Sequence, residues 1–191
     1  MKRIAVYCGS APGSEPRFML LARAFGEALA AAGLGLVFGG GQIGLMGAVA
    51  DGVLDRGGDV IGVIPHFLQA KEILRPDPRV DLRVVASMHE RKALYATLAD
   101  GFVALPGGYG TLEELFEIVA SVQLGLVNAP VVLLNDGGFY DALLAHIDGA
   151  VAAGFVRTPN RAIVSAERTV AATIARITGR STGPVRGVRK V

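Results

Sequence analysis

The sequence predicts an α/β fold, a Rossmann-like doubly wound parallel sheet flanked by helices, on three observations. Short apolar runs alternate with helical patterns from one end of the chain to the other. Several of those runs are apolar throughout, as strands covered on both faces must be. Glycine is abundant, at 26 residues, while aromatics make up 6%. That balance suits short buried strands, closely packed helices and tight turns. Strand–helix alternation then implies parallel pairing.

Each strand is placed by its apolar run and each helix by apolar residues recurring at the helical period. In chain order the elements are strand Ile4–Tyr7, helix Pro16–Ala32, strand Leu34–Phe38, helix Leu45–Arg56 and strand Val60–Ile64. Residues Pro65 to Arg79 form the longest irregular stretch, with Pro76 and Pro78 breaking any helix; such a connection is often functional. Strand Leu82–Val85 and helix Met88–Ala99 follow, the helix opened by the capping box Ser87-Met-His-Glu90. Strand Phe102–Leu105 leads to helix Leu112–Leu124, with Thr111 in the N-cap position. Strand Val131–Leu134, helix Tyr140–Ala153, strand Ala162–Val164 and helix Glu167–Thr178 complete the pattern.

Residues 1–178 are expected to form one domain, and residues 179–191 a basic, disordered tail. The tail carries Arg180, Arg186, Arg189 and Lys190 without an acid, so of the net +2 it supplies +4 and leaves −2 for the rest. A solvated terminus is the plain reading, and no nucleic-acid partner is expected; a nucleic-acid contact by the tail is the alternative. The chain is apolar for a soluble protein, at 51% hydrophobic residues and a mean hydropathy of +0.46. Its longest apolar stretch, Ala28 to Gly41, is interrupted by glycines and too short to span a bilayer. The N-terminus enters a strand directly without a cleavage site. The single cysteine, Cys8, suits a reducing compartment. Together these point to a cytoplasmic protein without a membrane partner.

In open α/β sheets ligands bind beyond the carboxyl ends of the strands. Four loops leave those ends with unusual residues: 8–13, 39–47, 86–92 and 106–111. The most informative is Pro106-Gly-Gly-Tyr-Gly-Thr-Leu-Glu-Glu114. Gly107, Gly108 and Gly110 let the backbone approach a ligand closely and take up positive φ. Thr111 as N-cap leaves the first N–H groups of the next helix facing the loop, a place that attracts phosphate. Glu113 and Glu114 stand beside that anion site, which suggests chemistry next to the phosphate. Thr111-Leu-Glu-Glu114 also reads as a capping box, which by itself accounts for Glu114.

The other motifs are weaker. Gly39-x-Gly41-x-x-Gly44 matches the dinucleotide fingerprint, but it follows the second strand and its acid, Asp59, comes early; helix–strand packing explains the glycines equally well. No Walker A lysine follows Gly44. Arg91 and Lys92, near a helix N-terminus, are either a solvated face or the partners of an anionic ligand. His66, His89 and His146 have no metal-ligand spacing, so no metal is expected. Cys8 reads as a small buried residue, since no neighbouring cation or histidine would lower its pKa. A Gly-x-Ser-x-Gly nucleophile elbow is absent.

Tyr7-Cys-Gly-Ser10, Gly39-Gly-Gly41 with Gly44-Leu-Met-Gly47, Val60-Ile-Gly-Val-Ile-Pro65, Met88-His-Glu-Arg-Lys92 and 106–114 together resemble the LOG family. These are cytokinin riboside 5′-monophosphate phosphoribohydrolases, often labelled lysine decarboxylases. The resemblance runs from about Lys2 to Arg168 and leaves the tail outside. It implies a nucleotide-binding hydrolase that cleaves the N-glycosidic bond of an N6-modified adenosine 5′-monophosphate, giving free base and ribose 5-phosphate. AMP and N6-isopentenyl-AMP are the implied substrates, a homodimer the implied assembly, and no cofactor is implied. Arg91 and Glu114 match the catalytic positions. Glu72, Met88, Lys92, Gly107, Gly108, Tyr109, Gly110, Thr111, Leu112 and Glu113 match substrate-binding positions. Ala120-Ser121 stands where many members have Thr-Trp, on the base side of the pocket.

The residues suggest how such a reaction runs. The 5′-phosphate docks on the N–H groups of 108–112, and Glu114 attends the positive charge that develops on the ribose. Arg91 keeps its proton and acts electrostatically. No acid for the leaving purine is evident. The rival readings are a non-catalytic nucleotide or molybdenum-cofactor carrier on the same fold, and a true lysine decarboxylase. The latter needs pyridoxal phosphate on one of Lys2, Lys71, Lys92 and Lys190, none of which has a recognisable cofactor context.

Overall fold

The computed structural model describes residues 2–69 and 77–179. Its strands are β1 (Arg3–Tyr7), β2 (Gly35–Phe38), β3 (Val60–Pro65), β4 (Val80–Val85), β5 (Gly101–Ala104), β6 (Val131–Leu134) and β7 (Val164–Glu167). Its α-helices are α1 (Pro16–Ala31), α2 (Gly44–Leu54), α3 (Met88–Leu98), α4 (Tyr109–Gln123), α5 (Asp141–Ala152) and α6 (Val170–Ile177). Among the described residues the strands form one seven-stranded sheet in the order β4-β3-β2-β1-β5-β6-β7. Every pairing is parallel, as the alternation predicts.

The apolar runs are explained by where they lie. β2, β3, β5 and β6 are buried at every residue. Alternate side chains of each strand point to opposite faces. Ile4 and Val6 join Phe25, Leu29, Val49 and Ile177 in the core beneath α1, α2 and α6. Ala5 and Tyr7 join Tyr95, Leu115 and Ile118 in the core beneath α3 and α4. α1 and α2 approach so closely that a Cβ on Gly26 meets the Val49 carbonyl and one on Gly52 meets the Arg23 carbonyl. β4 is an edge strand with polar residues, and Asp81 and Arg83 pair on it at 2.9 Å.

The strand order reverses between β1 and β5, so the crossovers leaving these neighbours run to opposite sides. Beyond their carboxyl ends lies the crevice of the topological switch point. Backbone bonds stitch the loops there: Gly9 N–H donates to the Pro106 carbonyl at 3.1 Å, and Leu45 N–H donates to the Gly9 carbonyl at 3.0 Å. Tyr140, the N-cap of α5, braces them, its hydroxyl donating to the Leu105 carbonyl at 2.6 Å. The Tyr140 N–H in turn donates to Asn135 Oδ1 at 2.7 Å.

The C-terminal boundaries differ from the sequence-based expectation. Ala162 and Ile163 belong to a 3-10 turn, Thr158–Ile163, and β7 begins only at Val164. α6 begins at Val170 instead of Glu167, because the Thr169 hydroxyl accepts from Ala172 N–H and caps the helix there. Residues 180–191 of the expected tail 179–191, and Glu72, lie outside the described residues.

Candidate active site

The start of α4 is the first correction to the sequence reading. Thr111 is not the N-cap. Gly108 is, and the Leu112 N–H closes the first turn on the Gly108 carbonyl at 3.1 Å. Glycines at 108 and 110 do not keep the chain out of helical geometry, so the helix starts three residues earlier than apolar periodicity suggests. The N–H groups without an intrahelical acceptor are therefore those of Tyr109, Gly110 and Thr111, and the Leu112 N–H is already committed. The capping box at Thr111 is lost with the shift, so Glu114 stands a turn inside the helix and needs another explanation.

A second correction concerns the glycines. None of Gly107, Gly108 and Gly110 takes positive φ. Gly107 is required by contact, because a Cβ there would meet the Thr111 side chain and, at 2.9 Å, the Gly9 nitrogen. Nothing lies within 4 Å of a Cβ built on Gly108 or Gly110, so these two keep the rim of a cavity open.

That cavity, about 300 Å³, sits on the switch point. Gly108, Tyr109, Gly110 and Thr111 form one wall, Cys8, Gly9 and Ser10 another, and Met46, Leu68, Met88, Arg91, Glu113 and Glu114 the remainder. Thr111 Oγ1 is buried and, among the described residues, has no hydrogen-bond partner. That hydroxyl and the three amides lacking an intrahelical acceptor lie together at the N-terminus of α4, a place suited to an anion.

Arg91 lies at the foot of the cavity, 5% exposed. Its Nε donates to the Tyr95 hydroxyl at 2.8 Å and its Nη2 to the Gly39 carbonyl at 3.4 Å. Nη2 is 3.8 Å from Glu114 Oε1, whose side chain is 12% exposed. A buried guanidinium needs such compensation, and the tyrosine, carbonyl and carboxylate supply it. The Gly39 contact also resolves the glycine fingerprint. A Cβ on Gly39 would meet Arg91 Nη2, and one on Gly44, at φ +63°, would meet the Ser10 carbonyl. Close packing is what these glycines serve. Asp59, the acid of a dinucleotide reading, sits before β3 and bonds Arg3 at 3.0 Å, at the opposite edge of the sheet.

Glu114 also lines a second cavity, about 340 Å³, between α3 and α4. Tyr7 forms its floor, with His89, Lys92, Glu117 and Ser121 among its walls. Lys92 crosses this cleft to Glu113 at 2.5 Å and to Glu117, and the hydrogen bonds its ammonium donates to these carboxylates raise its pKa. Burial, and then the Glu114 charge, hold the Tyr7 phenol well above its ordinary pKa. Burial likewise pushes up the Cys8 thiol, in line with a structural and not a nucleophilic cysteine.

The structure thus brings Met88, Arg91, Gly108, Tyr109, Gly110, Thr111, Glu113 and Glu114 to one cavity. Lys92 serves the adjoining one, Gly107 lies beneath Thr111, and Leu112 packs against the α3–α4 core. Sequence reasoning missed Tyr95 and Glu117. Their position four residues after Arg91 and after Glu113, on the same helix face, was the available signal. The Ser87 capping box is present, with Glu90 N–H donating to Ser87 Oγ at 3.1 Å and the Glu90 carboxylate accepting from the Ala86 N–H at 2.7 Å.

An all-parallel sheet with its polar cavity at the switch point places the protein among the Rossmann-like α/β proteins. Residues 46–177 match the family described as "Possible lysine decarboxylase". A cytokinin riboside 5′-monophosphate phosphoribohydrolase of Oryza sativa subsp. japonica is 50% identical over 163 residues, covering 85% of this chain and 67% of the relative. One of Rhodococcoides fascians is 44% identical over 176 residues, covering 92% and 89%. The molybdenum cofactor binding protein of Rippkaea orientalis shares the fold, with a TM-score of 0.69 at 23% identity over 94% of this chain and 98% of that one. The chain belongs to the LOG family of phosphoribohydrolases, hydrolases of N-glycosidic bonds.

Proposed function

We propose that this protein hydrolyses the N-glycosidic bond of adenosine 5′-monophosphates, N6-modified ones such as N6-isopentenyl-AMP and AMP itself, to free base and ribose 5-phosphate. The observation that carries this reading is the Arg91–Glu114 pair beside a helix N-terminus suited to an anion. The 5′-phosphate accepts from the Tyr109, Gly110 and Thr111 amides and from the Thr111 hydroxyl. That anchorage sets the anomeric carbon against Glu114, which stands between the two cavities. The base then extends into the α3–α4 cleft, whose far wall includes Ser121.

Cleavage builds positive charge on the ribose, and the Glu114 carboxylate stabilises it and takes a proton from the attacking water. Arg91 holds Glu114 in place with a guanidinium that stays charged throughout. Tyr95 and the Gly39 carbonyl fix the guanidinium, so the pair is preorganised.

The same reading has the chain acting as a homodimer in the cytoplasm without a cofactor. The apolar helix α5 has no buried residue, and Leu124, Leu126 and Phe155 are exposed at 70%, 74% and 88%, a surface that suits a second copy. No helix among the described residues is long and apolar enough to cross a membrane. Lysine decarboxylation does not fit. Among the described residues Lys92 is the one lysine on these walls, and two carboxylates hold its ammonium protonated, the wrong state for an imine with pyridoxal phosphate. The likeness to molybdenum-cofactor carriers is one of fold, and a carrier has no use for the buried pair.

The test is product analysis with Glu114→Gln as control. The wild-type protein should release adenine from AMP and the modified base from N6-isopentenyl-AMP. Glu114→Gln should turn over roughly 10²–10⁴-fold more slowly while still binding AMP. Near-wild-type turnover in that variant removes Glu114 from the mechanism.

A further inference from the structure

The reaction needs a proton that neither Glu114 nor Arg91 can give. As the C1′–N9 bond breaks, its electron pair moves onto the purine, and an unprotonated purine anion leaves poorly. The base must take up a proton from a group on the wall of the cleft that receives it.

The cleft narrows the choice. Its side chains with a proton to give are Tyr7, His89, Lys92 and Ser121, and the aliphatic hydroxyl of Ser121 is far too weak an acid to protonate the base. Lys92 is bound by Glu113 and Glu117, which hold its proton more tightly than usual. Tyr7 is buried against Glu114 and is a weaker acid than an ordinary phenol. Across Glu114, in the first cavity, burial makes the Cys8 thiol a weaker acid than an ordinary thiol. His89 has no hydrogen bond or ion pair among the described residues, so its ring is uncommitted. It stands in the first turn of α3, exposed to solvent on its outer side, from which it can be reprotonated. Histidine is also the side chain that gives up a proton near neutral pH.

We propose that His89 is the general acid that protonates the leaving purine in the α3–α4 cleft. This rests on the phosphoribohydrolase reading above. The imidazolium of His89 gives its proton to purine N7 as the C1′–N9 bond breaks. Water adds to C1′, and Glu114 takes the proton that water loses. The products are neutral base and ribose 5-phosphate, and the enzyme returns to its starting state when Glu114 gives up a proton and His89 regains one through solvent. The charged and titratable groups facing His89 across the cleft are Lys92 of α3, Glu114 and Glu117 of α4, and Tyr7 of β1.

The experiment compares wild type with His89→Gln on two substrates. AMP has a leaving group that needs a proton, and 4-nitrophenyl ribofuranoside 5-phosphate has one that does not. His89→Gln should lower kcat on AMP by roughly 10²–10⁴-fold and alter kcat on the nitrophenyl compound by less than about threefold. Glutamine is a good helix former on an exposed helix surface, so the variant should fold. Equal losses on both substrates, or an AMP rate within threefold of wild type, overturn the assignment of His89 alone. A wild-type protein that frees no base from AMP or N6-isopentenyl-AMP overturns both this assignment and the function beneath it.

Discussion

Replacing Thr111 by valine should strengthen the ligand-free protein and weaken its hold on substrate. Valine keeps the β-branched shape and removes only the hydroxyl, whose oxygen is buried and, among the described residues, has no hydrogen-bond partner. A buried hydroxyl lacking a hydrogen bond costs about 1–3 kcal/mol, so Thr111→Val should gain up to that amount. For a chain of this size 1 kcal/mol is worth about 2–4 °C, which gives a rise in Tm of about 2–12 °C. On the substrate side the variant loses one hydrogen bond to a phosphate oxygen, worth about 1.5–3 kcal/mol. The value of kcat/KM for AMP should therefore drop about 10–100-fold. Thr111→Ser retains the hydroxyl and should stay near wild type in kcat/KM. The assays are thermal unfolding without ligand and initial-rate kinetics with AMP. A valine variant that is less stable and hydrolyses AMP as well as wild type does would refute the reasoning, because the hydroxyl would then be structural.

Two further outcomes follow from the same geometry. Gly39→Ala drives a Cβ into Arg91 Nη2 and to 2.8 Å from the Met46 sulfur, so the guanidinium must shift. Overpacking of this kind costs about 1–3 kcal/mol, and a displacement near 1 Å lowers turnover about 10²-fold; kinetics with unchanged kcat would show that Arg91 needs no fixed position. Cys8 should resist iodoacetamide at pH 8 in the native protein and react once denatured, because burial raises its pKa and the nucleophilic thiolate is scarce. Rapid native labelling, followed by mass spectrometry, would contradict that.

The order of elements and the parallel pairing were legible because strands buried on both faces read as unbroken apolar runs, as β2, β3, β5 and β6 do. The edge strand β4 was shortened in the sequence reading, since its first residues, Val80 and Asp81, carry no apolar run. The start of α4 was misplaced for a different reason. Glycine argues against helix by propensity, yet Gly110 lies in the first turn, where side chains contribute little and an open rim serves the ligand. Arg91 and Glu114 were legible as candidates with expected roles, but the contact between them was not. Each had a plain local explanation, a helix-surface cation and a capping acid, and only the crossing of α3 and α4 shows them sharing a buried contact. The Lys92 bridges to Glu113 and Glu117 are long-range and invisible to helical periodicity within either element.

The central claim is that the 5′-phosphate, held by the α4 amides, positions the sugar for Glu114. The most direct measurement is kcat/KM for AMP against kcat/KM for adenosine, at one pH and ionic strength. Three charge-assisted hydrogen bonds at ~1.5 kcal/mol each amount to a preference of at least about 10³-fold for the monophosphate. Comparable values for the two substrates would mean that the cradle at Tyr109–Thr111 takes no part in catalysis.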